Sequence, residues 1–352
     1  MDIDRTLEQL IELCDVLSEA SRYGHDGNAR AERQARAAAL AEGLRVEPTV
    51  TARPEPQASG LQAAVSRATE LALRGADELA TAGDDPEAVI TTMRAARYVA
   101  YVMELTYPYA HEVERLGNWF ALDGEPPARA QSFEDTGVAH LSNERDSKGG
   151  CSLYVPESYD PNGPPLPLVI ALHGGAGHGR TFLWSWLREA RSRNFIVLSP
   201  TSVGDTWSLM QPDIDIANIQ RMVDWLVTRW HVDQTRILLT GMSDGGTFSL
   251  LGGLQAGFPC THLAPVSASF HPMMLEMVDS ERVRQTPLHL THGRFDWMFP
   301  VTMAADAKKH FAHAGASVEL TVVDDLAHTY PREQNIKLYE WFCATSASDA
   351  AS

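Results

Sequence analysis

Ten residues, Arg236 to Gly245, restrict the folds open to this chain more than any other stretch. Ile237-Leu238-Leu239 is apolar at consecutive positions, the pattern of a strand buried on both faces in a parallel sheet covered by helices. It runs straight into Gly241-Met242-Ser243-Asp244-Gly245. A strand that ends in G-x-S-x-G and gives way to a helix is a nucleophile elbow, with the serine at the apex of a sharp turn. The flanking glycines let the backbone bend without a Cβ clash. The turn throws the Ser243 hydroxyl clear of the sheet, where a substrate can reach it.

Three more segments repeat the pattern of a strand followed by a loop that carries a candidate group. Leu166–Leu172 leads into His173-Gly174-Gly175-Ala176-Gly177. Small residues there let backbone N–H groups approach a developing oxyanion, so Gly174, Gly175 and the N–H of Asp244 are the candidate oxyanion hole. Residues 287–291 lead into a loop that carries Asp296, and residues 317–323 into one that carries His328. The chain order Ser243, Asp296, His328 is the order of an α/β-hydrolase triad. The residue types follow from the chemistry. A serine hydroxyl is a weak nucleophile until an imidazole takes its proton. The imidazole needs a carboxylate to hold its tautomer and stabilise its cation.

Competing motifs fail on single residues. The loop after residue 172 is not G-x-G-x-x-G, because Arg180 stands where the third glycine belongs, and no phosphate-binding G-x-x-x-x-G-K-[ST] occurs. His111-Glu112-Val113-Glu114-Arg115 misses H-E-x-x-H at Arg115, so no metal site is assigned. His292 shares a loop with Asp296 and reads as structural. Asp324 and Asp325 read as shaping the His328 loop, and His310 and His313 as solvent-facing. Trp207, Trp297 and Trp184 are candidates for a substrate pocket wall. Trp186 is an equal claimant for the place of Trp184, and core packing is the alternative for each.

Residues 151–342 resemble the α/β-hydrolase superfamily. Within it they are most similar to an esterase group of polyhydroxybutyrate-depolymerase-like, feruloyl-esterase-like and phospholipase/carboxylesterase-like proteins. The matching pieces are Tyr154-Val155-Pro156 with Tyr159, Leu172-His173-Gly174-Gly175, Thr240 to Gly246, His292-Gly293 with Asp296 and Pro300, and His328. The resemblance implies a mostly parallel central sheet. It further implies a serine carboxylesterase that works through an acyl-enzyme on a small-molecule ester, with no metal or organic cofactor. A thioesterase, a peptidase, a polyester depolymerase and a non-catalytic binding protein on the same scaffold are the alternatives. Trp297-Met298-Phe299 is bulkier than the family pattern around the acid and predicts a narrowed or aromatic pocket.

The first 125 residues have no counterpart in that fold. Leu7, Leu10, Ile11, Cys14 and Leu17 recur at helical spacing behind a candidate cap at Asp4, and further helices are expected over 28–44, 61–79 and 86–105. A linker is expected over 47–59, where Pro48, Pro54 and Pro56 fall. The chain therefore reads as a helical region (1–125), a catalytic α/β-hydrolase domain (126–345) and a disordered tail (346–352). The helical region has three candidate roles: a homo-oligomer surface, a cap over the site, or a structural appendage. A formal charge of −17 disfavours nucleic acid and anionic membranes as partners. The start, Met1-Asp2-Ile3-Asp4-Arg5, is unlike a secretory leader, and no run approaches the roughly 18 apolar residues of a membrane span. Cytoplasmic residence is the expectation. Cys14, Cys151, Cys260 and Cys343 lack metal-ligand spacing and read as free thiols, with a Cys260–Cys343 bridge as the alternative in an exported protein.

Overall fold

The computed structural model describes residues 2–46, 60–83, 87–127 and 135–344. The expected linker at 47–59, the expected Pro86 helix start and the expected tail lie outside the described residues. The chain divides into two compact units, Met1–Pro126 and Pro127–Ser352.

The first unit is helical: α1 (Ile3–Arg22), α2 (Gly27–Val46), α3 (Gly60–Ala80), α4 (Ala88–Thr106) and the short α5 (Glu114–Trp119). The periodic apolar positions of α1 form its inner stripe, with Leu7, Leu10, Leu13, Cys14 and Leu17 fully buried. They pack against α2, α3 and α4. The cap of α1 is Asp2 rather than the expected Asp4; its side chain accepts from the Arg5 N–H. Asp4 lies inside the first turn, where a negative charge complements the helix dipole.

The second unit is a mixed sheet with helices. Its elements are β1 (Gly137–Leu141), β2 (Cys151–Val155), β3 (Leu166–Leu172), α6 (Gly179–Phe182), α7 (Leu187–Arg193), β4 (Ile196–Pro200), α8 (Asp213–Arg229), β5 (Val232–Met242), α9 (Asp244–Gly253), β6 (His262–Val266), α10 (Ser280–Gln285), β7 (Leu288–Gly293), α11 (Val301–His313), β8 (Val318–Val323) and α12 (Asn335–Ala344). The strands lie in the order β1-β2-β4-β3-β5-β6-β7-β8. The β1–β2 and β2–β4 pairs are antiparallel and all the others parallel. β1 ends at Leu141, with Ser142 in a left-handed conformation at φ 46°.

Every residue of β2, β3, β4, β6 and β7 is buried. Burial on both faces explains why β3 reads as a continuous apolar run rather than an alternating one. Each parallel strand ends at the same edge of the sheet. Loops leaving β3, β4, β5, β7 and β8 therefore gather there, which is where open α/β sheets build their sites.

Candidate active site

The elbow forms as the motif requires. Ser243 sits between β5 and α9 with φ 55° and ψ −118°, a conformation that costs a serine on the order of 1–3 kcal/mol. The strain is held by close contact on both sides. A Cβ on Gly245 would lie 2.4 Å from the His173 carbonyl oxygen, so any other residue there would drive α9 away from β3. The Ser243 N–H donates to the Val266 carbonyl at 2.9 Å and its carbonyl accepts from Thr247 N at 2.8 Å. With its own N–H spent on β6, Ser243 cannot also donate to an oxyanion.

The three residues expected to act together do meet. Ser243 Oγ and His328 Nε2 are 3.0 Å apart, and His328 Nδ1 and Asp296 Oδ2 are 2.8 Å apart. All three side chains are buried. The second carboxylate oxygen, Oδ1, accepts from the N–H groups of Met298 (3.0 Å) and Phe299 (2.8 Å). Burial opposes ionisation of Asp296. The hydrogen bond from His328, its charge and the Phe299 N–H outweigh it, and the carboxyl is held below its ordinary range.

His292, set aside as structural, is buried behind the acid. Its Nε2 lies 2.8 Å from the Phe299 carbonyl oxygen and 3.4 Å from Asp296 Oδ2. A nitrogen that donates to a carbonyl carries the proton, so this ring props the acid loop and is not a base for Ser243. Asp324 pairs instead with Arg294 on the surface, its Oδ1 2.7 Å from Arg294 Nε. His313 is exposed, but His310 is half-buried with its ring against Phe270, a difference from the expected solvent-facing pair.

The glycine loop after β3 passes beside the elbow. A Cβ on Gly174 would lie 3.6 Å from Ser243 Cβ, and one on Gly175 would lie 2.7 Å from Asp244 Oδ2. Only glycine fits at 175 without displacing the Asp244 side chain. His173 anchors the loop: its Nδ1 is 2.7 Å from the Gly174 carbonyl oxygen, and its Nε2 accepts from Ser202 N at 3.1 Å. That pairing places the proton on Nδ1. Burial pushes the imidazole down to about 4, so it is neutral at physiological pH, as an accepting Nε2 requires.

The three tryptophans separate. Trp184 and Trp207 are buried core residues, which differs from the expected pocket wall. The Trp207 Nε1 donates to the His173 carbonyl at 2.7 Å, and its ring lies against His173 and Phe248. Its amphipathic ring is consumed by packing and one internal hydrogen bond. Trp297 is 44 % exposed, and its ring stands edge-on to His328 with centroids 5.9 Å apart. Phe299 is edge-on to the same imidazole at 5.4 Å. The acid loop thus exposes Phe295, Trp297 and Met298 beside the triad.

Residues that sequence reasoning missed are the supports: His173 Nε2 with Ser202, Thr206 with Asp244, and Asp215. Asp215 reads in sequence as one more acid at a helix start. Nothing local distinguishes it from Asp213.

Among the described residues, no group of three His, Cys, Asp or Glu side chains is arranged to hold a metal ion. All four cysteines are free thiols. No helix among the described residues is long and apolar enough to cross a membrane.

Residues 211–344 match the phospholipase/carboxylesterase family, a range that includes Ser243, Asp296 and His328 but begins after the glycine loop. A bifunctional GH43-CE protein from Bacteroides eggerthii superimposes with a TM-score of 0.50 at 13 % identity, over 61 % of this chain and 39 % of that one. The chain has the α/β-hydrolase fold. An acetyl xylan esterase from Aspergillus awamori aligns with a TM-score of 0.48 at 16 % identity, covering 59 % of this chain and 100 % of that one. A thermostable esterase aligns with a TM-score of 0.46 at 18 % identity, covering 60 % of this chain and 64 % of that one. No curated protein matches the chain in sequence. Residues 1–210, the helical unit included, fall outside the family match.

Proposed function

We propose that this α/β-hydrolase is a serine carboxylesterase that works through an acyl-enzyme. The observation that carries the reading is the unbroken chain from Ser243 Oγ to His328 Nε2 (3.0 Å) and from His328 Nδ1 to Asp296 Oδ2 (2.8 Å), with the serine held at a strained apex.

Ser243 Oγ attacks the ester carbonyl carbon as its proton passes to His328 Nε2. The imidazolium is stabilised by Asp296, which is fixed in turn by two backbone N–H groups. The N–H groups of Gly175 and Asp244 receive the oxyanion; each such donor is worth roughly 3 kcal/mol of barrier. The tetrahedral species collapses, the C–O bond to the alcohol breaks, and the alcohol leaves with the proton from Nε2. Water then attacks the acyl-enzyme, giving its proton to the same nitrogen, and the acid is released with Ser243 restored. Trp297 lines the mouth of the site, its exposed ring offering an apolar wall next to the imidazole.

The test is Ser243→Ala assayed with p-nitrophenyl acetate alongside fluorophosphonate labelling of the wild type. The expected result is labelling at Ser243 and loss of all but background turnover in a variant that stays folded. Wild-type turnover by that variant refutes the reading.

A further inference from the structure

The loop between β4 and α8 is drawn into an arch by one carboxylate. Asp215, in the first turn of α8, is fully buried. Its Oδ1 accepts from Val203 N at 2.9 Å. Its Oδ2 accepts from both Ser208 N and Ser208 Oγ at 2.8 Å. Two points of the loop five residues apart are thereby tied to a single side chain.

The arch between them, with Ser202 at its foot, reaches the catalytic face at three places. Ser202 N donates to His173 Nε2, Trp207 Nε1 donates to the His173 carbonyl at 2.7 Å, and Thr206 Oγ1 donates to Asp244 Oδ2 at 2.5 Å. His173 is the residue from which Gly174 and Gly175 depart, and Asp244 follows the nucleophile. Both halves of the oxyanion-binding backbone are therefore held from one arch. Asp215 itself bonds to none of Ser243, His328 or Asp296; its hydrogen bonds go to Val203 and Ser208.

We propose that Asp215 is a positioning residue for oxyanion binding: through the 202–208 arch it sets the places of Gly175 and Asp244. The proposal rests on the reading that those two N–H groups receive the oxyanion. Its physical content is a mismatch of donors and acceptors. Two N–H groups and one hydroxyl point at the carboxylate, and all three must be accepted. An asparagine offers one acceptor oxygen and turns an NH₂ toward either Val203 N–H or Ser208 N–H. One end of the arch is then released, and with it a fixed distance to His173 or Asp244. Oxyanion donors act through preorganisation, so loosening them weakens the transition state more than the bound substrate.

The experiment compares wild type, Asp215→Asn and Trp207→Phe. Trp207→Phe keeps an aromatic ring but deletes the donor to the His173 carbonyl, and serves if Asp215→Asn does not fold. Active sites are counted by fluorophosphonate titration, and turnover is expressed per titrated site. The expected result is a drop in kcat for p-nitrophenyl acetate of about 10- to 100-fold, a part of the loss that follows outright removal of an oxyanion donor. KM should change less than threefold. The inhibition constant of an aryl trifluoromethyl ketone, whose adduct with Ser243 carries an oxyanion, should rise by the same factor as kcat/KM falls. A purely structural role would lower the number of titrated sites and leave turnover per site unchanged; that outcome overturns the proposal. A wild type that neither hydrolyses esters nor takes the label sinks the esterase reading itself and this proposal with it. An active wild type with unaltered folded variants sinks only the role of Asp215.

Discussion

Asp296→Asn should inactivate this chain without unfolding it, and the structure shows why. The Oδ1 position faces two backbone donors, Met298 N at 3.0 Å and Phe299 N at 2.8 Å. An asparagine that set its NH₂ there would oppose N–H to N–H twice. The amide oxygen is therefore forced into the Oδ1 position, and the NH₂ takes the Oδ2 position, 2.8 Å from His328 Nδ1. His328 must then accept at Nδ1, which moves its single proton to Nε2. That nitrogen, 3.0 Å from Ser243 Oγ, now has no lone pair with which to take the serine proton. Loss of the base and of the stabilised imidazolium should lower kcat by about 10³- to 10⁴-fold, or on the order of 4–5.5 kcal/mol of barrier. The assay is release of p-nitrophenol near pH 8, with thermal unfolding measured on the same samples. The size and shape of the side chain are unchanged, so the midpoint should move by only a few degrees. A folded Asp296→Asn enzyme within tenfold of wild-type kcat would refute the argument, because it would mean that His328 keeps its working tautomer without the carboxylate.

Two other perturbations test the surroundings of the site. Glu189 is buried in α7, and burial pushes its carboxyl up to about 7 against the pull of its own backbone N–H, Asn335 and the nearby arginines. The unfolded chain releases this proton near 4.5 while the folded chain keeps it to about 7, so the group's contribution to stability falls as pH rises through that interval and is flat above it. Glu189→Gln should remove the slope and gain on the wild type by on the order of 3 kcal/mol between pH 4.5 and 8; parallel curves of unfolding midpoint against pH would refute it. Trp297→Ala should raise KM for aryl esters about fivefold, roughly 1 kcal/mol of lost apolar contact, while kcat stays within about twofold. An unchanged KM across short, long and aromatic esters would remove Trp297 from the binding surface.

Much of the fold was legible because its signals are local. A parallel strand covered on both sides is apolar at successive positions, and β3 announces itself that way. The elbow is legible because a strained turn between strand and helix tolerates few residues, as the close approach at Gly245 shows. Boundaries were less legible. Nothing in Ser142-Asn143-Glu144 as sequence marks the left-handed turn at Ser142, which ends the pairing of β1 at Leu141. The same holds at the start of α1, where Asp2 and Asp4 are equivalent as sequence and only the direction of the chain makes Asp2 the cap.

The tryptophans and Asp215 mark the opposite case. Trp184, Trp207 and Trp297 carry the same side chain, yet two are core residues and one is exposed beside His328. Asp213 and Asp215 both begin α8, but only Asp215 turns inward to meet Val203 and Ser208. The order of Ser243, Asp296 and His328 along the chain, the sheet that carries them and the glycines beside the elbow were determined by the sequence alone, because each is a demand made by chemistry or backbone geometry on a few consecutive residues. Which ring is buried, which acid becomes a clamp and how far each triad atom lies from the next were decided by the tertiary structure, because burial and hydrogen-bond partners belong to whatever distant segment the fold brings alongside.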